Sequence, residues 1–447
     1  MRNFVSNIKG IVDGLNKDEP LAIDSARQIV AELNRFLYTN YEGIGTTRAL
    51  EEDHEYFSDF HKYWERHYKE ILAPTIEYTQ CELVADALHG VFANIPEAFT
   101  ELYDTCGLSS EELCRVRFFS APQDFRESLN FSKLAKIYKS DPSIFSQQHI
   151  FEKPEGFLSE IEVAGLSQND KRARFARTCA AFLLERGIEP YEMLSHFDYD
   201  LMKLRKALTG TTGMGYGNKK ADMFLRDMVV HEVWSDYLNF SKLDVASDVN
   251  TMKVALRTGI LKTAIPLVSS FIDIFCHQYA YMDEMNAAAW RRVWEIWSKK
   301  HPEECVTSPC MIDYFVYRII GKECCGEKLA VFKGTECNHS FHWHSSRNKT
   351  CQVCFAQTRQ RKPAKRVGAL YPCTCDSGDE QMFYEQAITK KYPYLRKLKG
   401  CPFAVACKPK DSDSVMLQPP KSISILGKTG WTTAYARSGT GGGGLQA

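Results

Sequence analysis

A glycine-rich turn followed by a lysine is the part of this chain whose residue types could do chemistry. Gly213, Gly215 and Gly217 alternate just before an Asn-Lys-Lys run that begins a helical pattern. Glycine adopts positive φ and allows close backbone approach, so the N–H groups at the start of that helix can point at a phosphate. Lys219, in the first helical turn, could then act as an amine nucleophile, with the isolated Asp248 as its electrostatic partner.

The elements that must position these residues are helices. The patterns predict one helix over Leu201 to Leu208 before the turn and an amphipathic one over Lys219 to His231 after it. Another helical pattern starts at Thr251, behind Asp248. From Leu21 to Cys114 the apolar spacing is also helical, and we interpret its aromatic stripes as core. The sequence therefore predicts a mostly α fold.

The composition of the chain limits the classes of function that it can have. The 447 residues are 44% hydrophobic and 25% charged, as in ordinary globular proteins, and the formal net charge is zero. A nucleic-acid surface would therefore need local segregation of charge. No run of eighteen apolar residues and no signal-peptide pattern occurs, so we expect an intracellular, soluble protein without a membrane partner, nuclear if the source is eukaryotic.

The hairpin and the aspartate together resemble the helix-hairpin-helix (HhH-GPD) superfamily of DNA glycosylases. That family has Gly-apolar-Gly-x-Lys-x-Ala, matched here by residues 215–221, and a catalytic aspartate opening the next helix, matched by residues 248–250. Weaker similarities are Gly165-Leu166 with the helix beginning near Lys171, and the segment from Met311 to Gly321. The resemblance covers roughly residues 165 to 325.

The resemblance implies a DNA glycosylase with β-lyase activity, acting on double-stranded DNA that carries a modified base. Such an enzyme flips the nucleotide into a pocket. Lys219 would attack C1′, and ionised Asp248 would stabilise the cationic sugar and orient the amine. The residues implied to contact DNA are Gly213, Gly215, Gly217, Asn218, Lys220 and Arg257. Gln147 and Gln148 are candidates for the base pocket.

Several alternatives stay open at this point. Lys220 is a rival for the nucleophile, because a one-residue shift of the hairpin would exchange the two lysines. Asp248 is also a common type of helix N-cap. The connection of 28 residues between Lys219 and Asp248 is longer than the family's, with the insertion around residues 233–242. A non-enzymatic helix-hairpin-helix DNA-binding protein is the main alternative function.

The C-terminal part carries a metal-binding pattern. Eleven of the sixteen cysteines fall between Cys305 and Cys407. The spacing of Cys337, His339, Cys351 and Cys354 predicts a zinc site. The alternative is a 4Fe-4S cluster held by Cys325, Cys351, Cys354 and Cys373, as the glycosylase resemblance implies. The interleaved histidines favour zinc, and a protein that uses this zinc module for interactions is a further alternative function.

The domain organisation expected from these patterns has four parts. They are an N-terminal helical domain (residues 1–115), the HhH-GPD glycosylase domain (116–322), a Cys/His-rich, basic metal-binding region (323–410) and a flexible tail (411–447). The basic residues between Arg359 and Lys399 form the most basic stretch of an otherwise neutral chain and could clamp DNA.

Overall fold

The computed structural model describes residues 73–123, 130–163, 169–263, 280–324 and 401–406. It also describes four short strands beyond residue 328 and the single residues 6, 7, 10, 69 and 398. Within this described part the chain is mostly helical with little sheet, which confirms the expected all-α class. The α-helices are α1 (Tyr78–Asn94), α2 (Glu97–Thr100), α3 (Ser110–Ser120), α4 (Phe131–Ser140), α5 (Gln147–Glu152), α6 (Pro154–Glu160), α7 (Asn169–Leu184), α8 (Met193–His196), α9 (Leu201–Gly210), α10 (Asn218–Val230), α11 (Val249–Thr258), α12 (Ala280–Lys300) and α13 (Ile312–Tyr314), followed by the π-helical segment Phe315–Cys324.

The remaining described elements are short. Single 3-10 turns lie at Ala121–Gln123, Pro142–Phe145, Pro190–Glu192, Phe240–Lys242, Pro309–Met311 and Pro402–Val405. Three antiparallel strand pairs join β1 (Thr75–Ile76) to β2 (Leu261–Lys262), β3 (Leu329–Lys333) to β4 (Ser340–His344) and β5 (Ala369–Tyr371) to β6 (Met416–Gln418).

Short polar residues start several of the helices. Ser109 forms a reciprocal capping box with Glu112 at the start of α3, and the side chains of Asn130 and Asp200 accept from the first-turn N–H groups of α4 and α9. Each such cap contributes roughly 1 kcal/mol because it satisfies a backbone donor that has no partner within the helix. These helix starts are therefore set by local sequence.

The chain divides into two compact units. The hairpin unit comprises residues 96–246 and 305–315, and the terminal unit comprises residues 1–95, 247–304 and 316–447. This division differs from the expected boundaries at residues 115 and 322. The segment that begins with Asp248 clusters with the residues before 96, because α12 packs along α1. Spatial contacts between distant segments, not continuous stretches of sequence, define both units.

The hairpin unit is built around an aromatic core. Phe118, Phe119, Phe145, Phe157 and Phe224 are among its fully buried side chains. The Phe145 and Phe157 rings meet edge to face, with their centroids 5.4 Å apart. Burial of one such side chain contributes about 1.5 to 3 kcal/mol, so this core holds the surrounding helices in place.

The terminal unit has its own core around α1, α11 and α12. Trp290 and Trp297 of α12 are fully buried. The Trp290 indole N–H donates to the Thr251 carbonyl of α11 at 3.3 Å, and its ring packs on Phe403 at 6.2 Å. The β1–β2 pair aligns Ile76 with Leu261. Trp290 thus joins α12 to α11 and to the turn that carries Phe403.

Candidate functional site: the glycine hairpin and its supports

In the hairpin unit, the connection 211–217 joins α9 to α10. Gly213 and Gly215 have φ of +83° and +79°, a region that side-chain-bearing residues rarely adopt. A Cβ on Gly215 would lie 2.6 Å from Cδ2 of Phe175, so this position also requires glycine for space. Gly217 differs from the expectation. Its φ is −86° and ψ 176°, an ordinary extended conformation, and its role is to be the N-cap of α10.

The residues between the glycines hold the hairpin to the core. Met214 and Tyr216 are buried. The Tyr216 hydroxyl donates to the Phe118 carbonyl at 2.8 Å, and the two rings stack with centroids 5.7 Å apart. Burial raises the pKa of Tyr216 well above its ordinary value, which keeps its hydroxyl a donor. The Cys179 thiol contacts the Met214 carbonyl at 3.4 Å. The apolar residue of the Gly-apolar-Gly pattern therefore anchors the loop.

The two lysines of α10 have different surroundings. Lys219 is exposed in the first helical turn, beside the exposed Asn218. Lys220 is half-buried, and its Nζ donates to the Pro122 carbonyl at 2.8 Å. Lys219 is therefore the more exposed of the two lysines, and Lys220 is held at the Pro122 carbonyl. Gly217 is the N-cap residue of α10 and has no side chain, so it places no capping oxygen at the positive end of the α10 dipole.

A buried ion pair joins the two helices of the hairpin. Arg205 of α9 makes a two-point contact with Asp222 of α10, in which Nη2 lies 2.9 Å from Oδ2. The Asp222 side chain is 4% exposed. Hydrogen bonding to Asp222 raises the pKa of Arg205 despite burial, so the pair is charged. Because a planar guanidinium meets a carboxylate at two points, this contact fixes the orientation of α9 on α10 as well as the distance between them.

The far half of α10 carries a network that the sequence analysis missed. Arg226 binds Asp227 at 2.6 Å and also pairs with Asp313 of α13, and Arg117 of α3 reaches Asp227 at 2.8 Å. Burial acts to raise the pKa of Asp227, but the Arg226 and Arg117 guanidiniums hold it below its usual range. Tyr103 also contacts Asp227, at 3.2 Å. The sequence did offer one signal for this network, because charged residues stand among the apolar positions of the amphipathic helix α10.

Gln123 is a second residue that sequence reasoning missed. Its side chain is fully buried, and neither its amide nitrogen nor its amide oxygen has a hydrogen-bond partner in the described part of the chain. It directly follows Pro122, the residue whose carbonyl holds Lys220. A buried amide without partners costs about 1 to 3 kcal/mol. The sequence around it showed only a turn-prone segment, which gave no indication of this environment.

The candidate base-pocket residues make contacts within the protein. Gln147 donates from Nε2 to the Ile188 carbonyl at 2.8 Å, and Gln148 donates to Glu152 at 2.5 Å on an exposed surface of α5. Gln147 therefore fastens α5 to the connection after α7. Gln147 thus contributes to the packing of the hairpin unit, whereas the contact of Gln148 lies within α5 on its exposed surface.

Asp248 belongs to the terminal unit and is the N-cap of α11, as its sequence position predicts. Its Oδ1 accepts from the N–H groups of Asn250 and Thr251, both at 2.8 Å, and the Thr251 hydroxyl oxygen accepts from the Asp248 N–H at 2.9 Å. The residue is 5% exposed. Arg257, in the last turn of α11, is buried rather than on an exposed helix face.

The candidate metal ligands Cys325, Cys337, His339, Cys351, Cys354 and Cys373 lie outside the described residues, so the zinc and 4Fe-4S assignments stay predictions. Beyond residue 328 the structure describes two antiparallel strand pairs, β3–β4 and β5–β6, and in the first of them Leu329 lies opposite His344.

No protein-family model matches the chain, and no curated protein gives a significant match. Among the described helices, none is long and apolar enough to cross a membrane.

Proposed function

We propose that this protein is a DNA glycosylase with β-lyase activity, which removes a modified base from double-stranded DNA. The observation that carries the proposal is the hairpin. Two glycines at positive φ lead into α10, and Lys219 is exposed in its first turn while its neighbour Lys220 is engaged with Pro122. A rigid glycine turn before a helix N-terminus suits a phosphate, and an exposed amine beside it suits attack on the adjacent sugar.

The supports of the hairpin favour a catalytic role because attack requires precise placement. Misplacement of a reacting group by about 1 Å can cost 100-fold in rate. Here Tyr216, the Arg205–Asp222 pair and the Arg226 network fix α10 to α3, α9 and α13. A surface that only grips phosphates gains less from such restraint, since phosphate contacts carry no requirement for a reacting geometry.

The proposed reaction starts when the damaged nucleotide leaves the helical stack, at a cost of a few kcal/mol. The Lys219 amine forms a bond to C1′ as the bond from C1′ to the base breaks, and the departing base takes the electron pair and a proton. Asp248 stabilises the positive charge on the sugar. The lysine-bound C1′ then forms a Schiff base as its bond to O4′ breaks and O4′ takes up a proton. Loss of a proton from C2′ then breaks the 3′ C–O bond of the same sugar, and the 3′ phosphate leaves. The pairing of Lys219 with Asp248 rests on their order along the chain.

Borohydride trapping tests this proposal. The wild-type protein, incubated with duplexes that each carry one modified base and then reduced, should form a covalent adduct on at least one of them. Lys219→Gln should form none. Lys206→Gln, which removes an exposed lysine of α9, is the matched control and should trap as well as wild type. Absence of an adduct with wild type on every duplex would refute the lyase activity.

Two further variants separate catalysis from binding. Lys219→Gln should still bind DNA, with a shallower dependence on salt because one phosphate-facing charge is gone. Asp248→Asn keeps an oxygen that can cap α11 but removes the charge, so it should fold normally and lose base release. If DNA binds to wild type but no base is ever released, the protein is a non-enzymatic helix-hairpin-helix DNA-binding protein.

A further inference from the structure

Three potential metal ligands come together in the terminal unit. His89 lies on α1, His301 directly follows α12, and Glu304 lies in the next turn. One ligand atom from each lies within 4.8 Å of those of the other two. His89 Nε2 is 2.8 Å from Glu304 Oε2, and the two imidazole rings are parallel, with centroids 3.6 Å apart.

The backbone around this cluster is held on both sides. One turn before His89, Asp86 pairs with Lys300 at 3.0 Å. One turn after it, Phe92 packs edge to face on Trp297 at 5.6 Å. The Trp297 indole N–H also donates to the Glu304 carbonyl at 2.9 Å. The ends of α1 and α12 are thus fixed relative to each other, and only the three ligand side chains need to turn.

The charges around the cluster suit a cation. One of the three ligands, Glu304, is a carboxylate on a mostly exposed side chain and offers a negative charge to a bound ion. Lys300, the last residue of α12, is paired with Asp86, and Glu82 also acts on it. The positive charge of Lys300 is thus balanced by these carboxylates.

We propose that His89, His301 and Glu304 bind a divalent transition-metal ion, with Zn²⁺ as the favoured ion. Two imidazole nitrogens and one carboxylate oxygen are a known ligand set for zinc, with a fourth position left for water. Ligand atoms around tetrahedral zinc are about 3.3 Å apart. The His89 and Glu304 atoms, now 2.8 Å apart, must therefore separate slightly, and ligand atoms up to 4.8 Å apart must approach by at most about 1.5 Å. Rotation of three partly exposed side chains achieves this.

Zinc counting on the full chain tests the site. Metal-stripped protein is dialysed against a fixed Zn²⁺ concentration, and bound zinc per chain is measured by mass spectrometry of the metal. Wild type should hold one zinc ion more than His301→Gln and one more than Glu304→Gln, whatever the cysteine-rich region binds. The control is His149→Gln, which removes a similar pair in which His149 Nε2 lies 2.7 Å from Glu160 Oε2 and for which the described residues offer no third ligand. It should bind as much zinc as wild type.

Cobalt substitution identifies the ligands. The measurement is the difference between the absorption spectra of Co²⁺-loaded wild type and Co²⁺-loaded His301→Gln. This difference should show weak visible bands and should lack the intense near-ultraviolet absorption of cobalt thiolates. Equal zinc content in wild type and in folded Glu304→Gln would overturn the proposal, and so would an equal loss in His149→Gln. Glu304→Gln decides the matter if His301→Gln does not fold, because it changes only a charge on a mostly exposed side chain.

Discussion

Replacement of Gly215 by alanine should destabilise the hairpin unit severely. Gly215 has φ of +79°, and its added Cβ would lie 2.6 Å and 2.7 Å from two ring atoms of Phe175. The left-handed backbone costs a side-chain-bearing residue about 1 to 2 kcal/mol. Overpacking against a buried ring adds about 1 to 3 kcal/mol. We therefore expect Gly215→Ala to lower the free energy of unfolding by about 2 to 5 kcal/mol.

The neighbouring glycines provide matched controls. Gly213→Ala shares the positive φ, but its Cβ would be 3.4 Å from Thr178 Oγ1, an ordinary contact, so only the backbone cost of about 1 to 2 kcal/mol remains. Gly217→Ala meets nothing within 4 Å at a φ of −86°, and should cost below about 1 kcal/mol through a poorer N-cap. Urea unfolding, followed by tryptophan fluorescence and circular dichroism, measures all three.

A double mutant separates the two causes at Gly215. Phe175→Leu removes the ring that the new Cβ would strike. In the Phe175→Leu background Gly215→Ala should cost only the backbone part, so the coupling between the two sites should be about 1 to 3 kcal/mol. Two results would refute the assignment of the Gly215 effect to its backbone and to Phe175. One is an equal loss of unfolding free energy for alanine at all three glycines, and the other is the absence of coupling between Gly215 and Phe175.

Two further predictions concern buried charges in the hairpin unit. Asp313→Asn leaves the Arg226 guanidinium without one of its buried partners and should cost about 3 to 5 kcal/mol in urea unfolding. Asp198→Asn breaks an exposed pair with Lys203 and should change stability by less than about 1 kcal/mol; similar losses for the two would contradict the assigned burial. Burial lowers the pKa of His231 below 6.5, and its Nε2 has no hydrogen-bond partner among the described residues. The unfolded chain then binds a proton that the folded chain excludes, so stability should fall as pH drops from 7 to 5.5, by up to about 1.4 kcal/mol per unit. His231→Gln should flatten this slope, and an unchanged slope would show that other groups cause it.

Much of the local structure could be predicted from the sequence. The turn at Gly213 and Gly215, the helix that follows it and the Asp248 cap depend on backbone sterics and on hydrogen bonds between residues two or three apart. Such interactions need no distant partner. The exception was Gly217, whose place in the pattern suggested a positive φ that an N-cap does not require.

The surroundings of the same residues could not be predicted. Lys219 and Lys220 are adjacent and identical in type, but only Lys220 meets the Pro122 carbonyl, 98 residues away in sequence. His89 likewise meets Glu304 across 215 residues. These contacts depend on how every helix of a unit packs on its neighbours, and no short pattern encodes that packing. The sequence by itself determined the glycine turn and the helices around it. The tertiary structure decided which lysine faces solvent and which histidines meet.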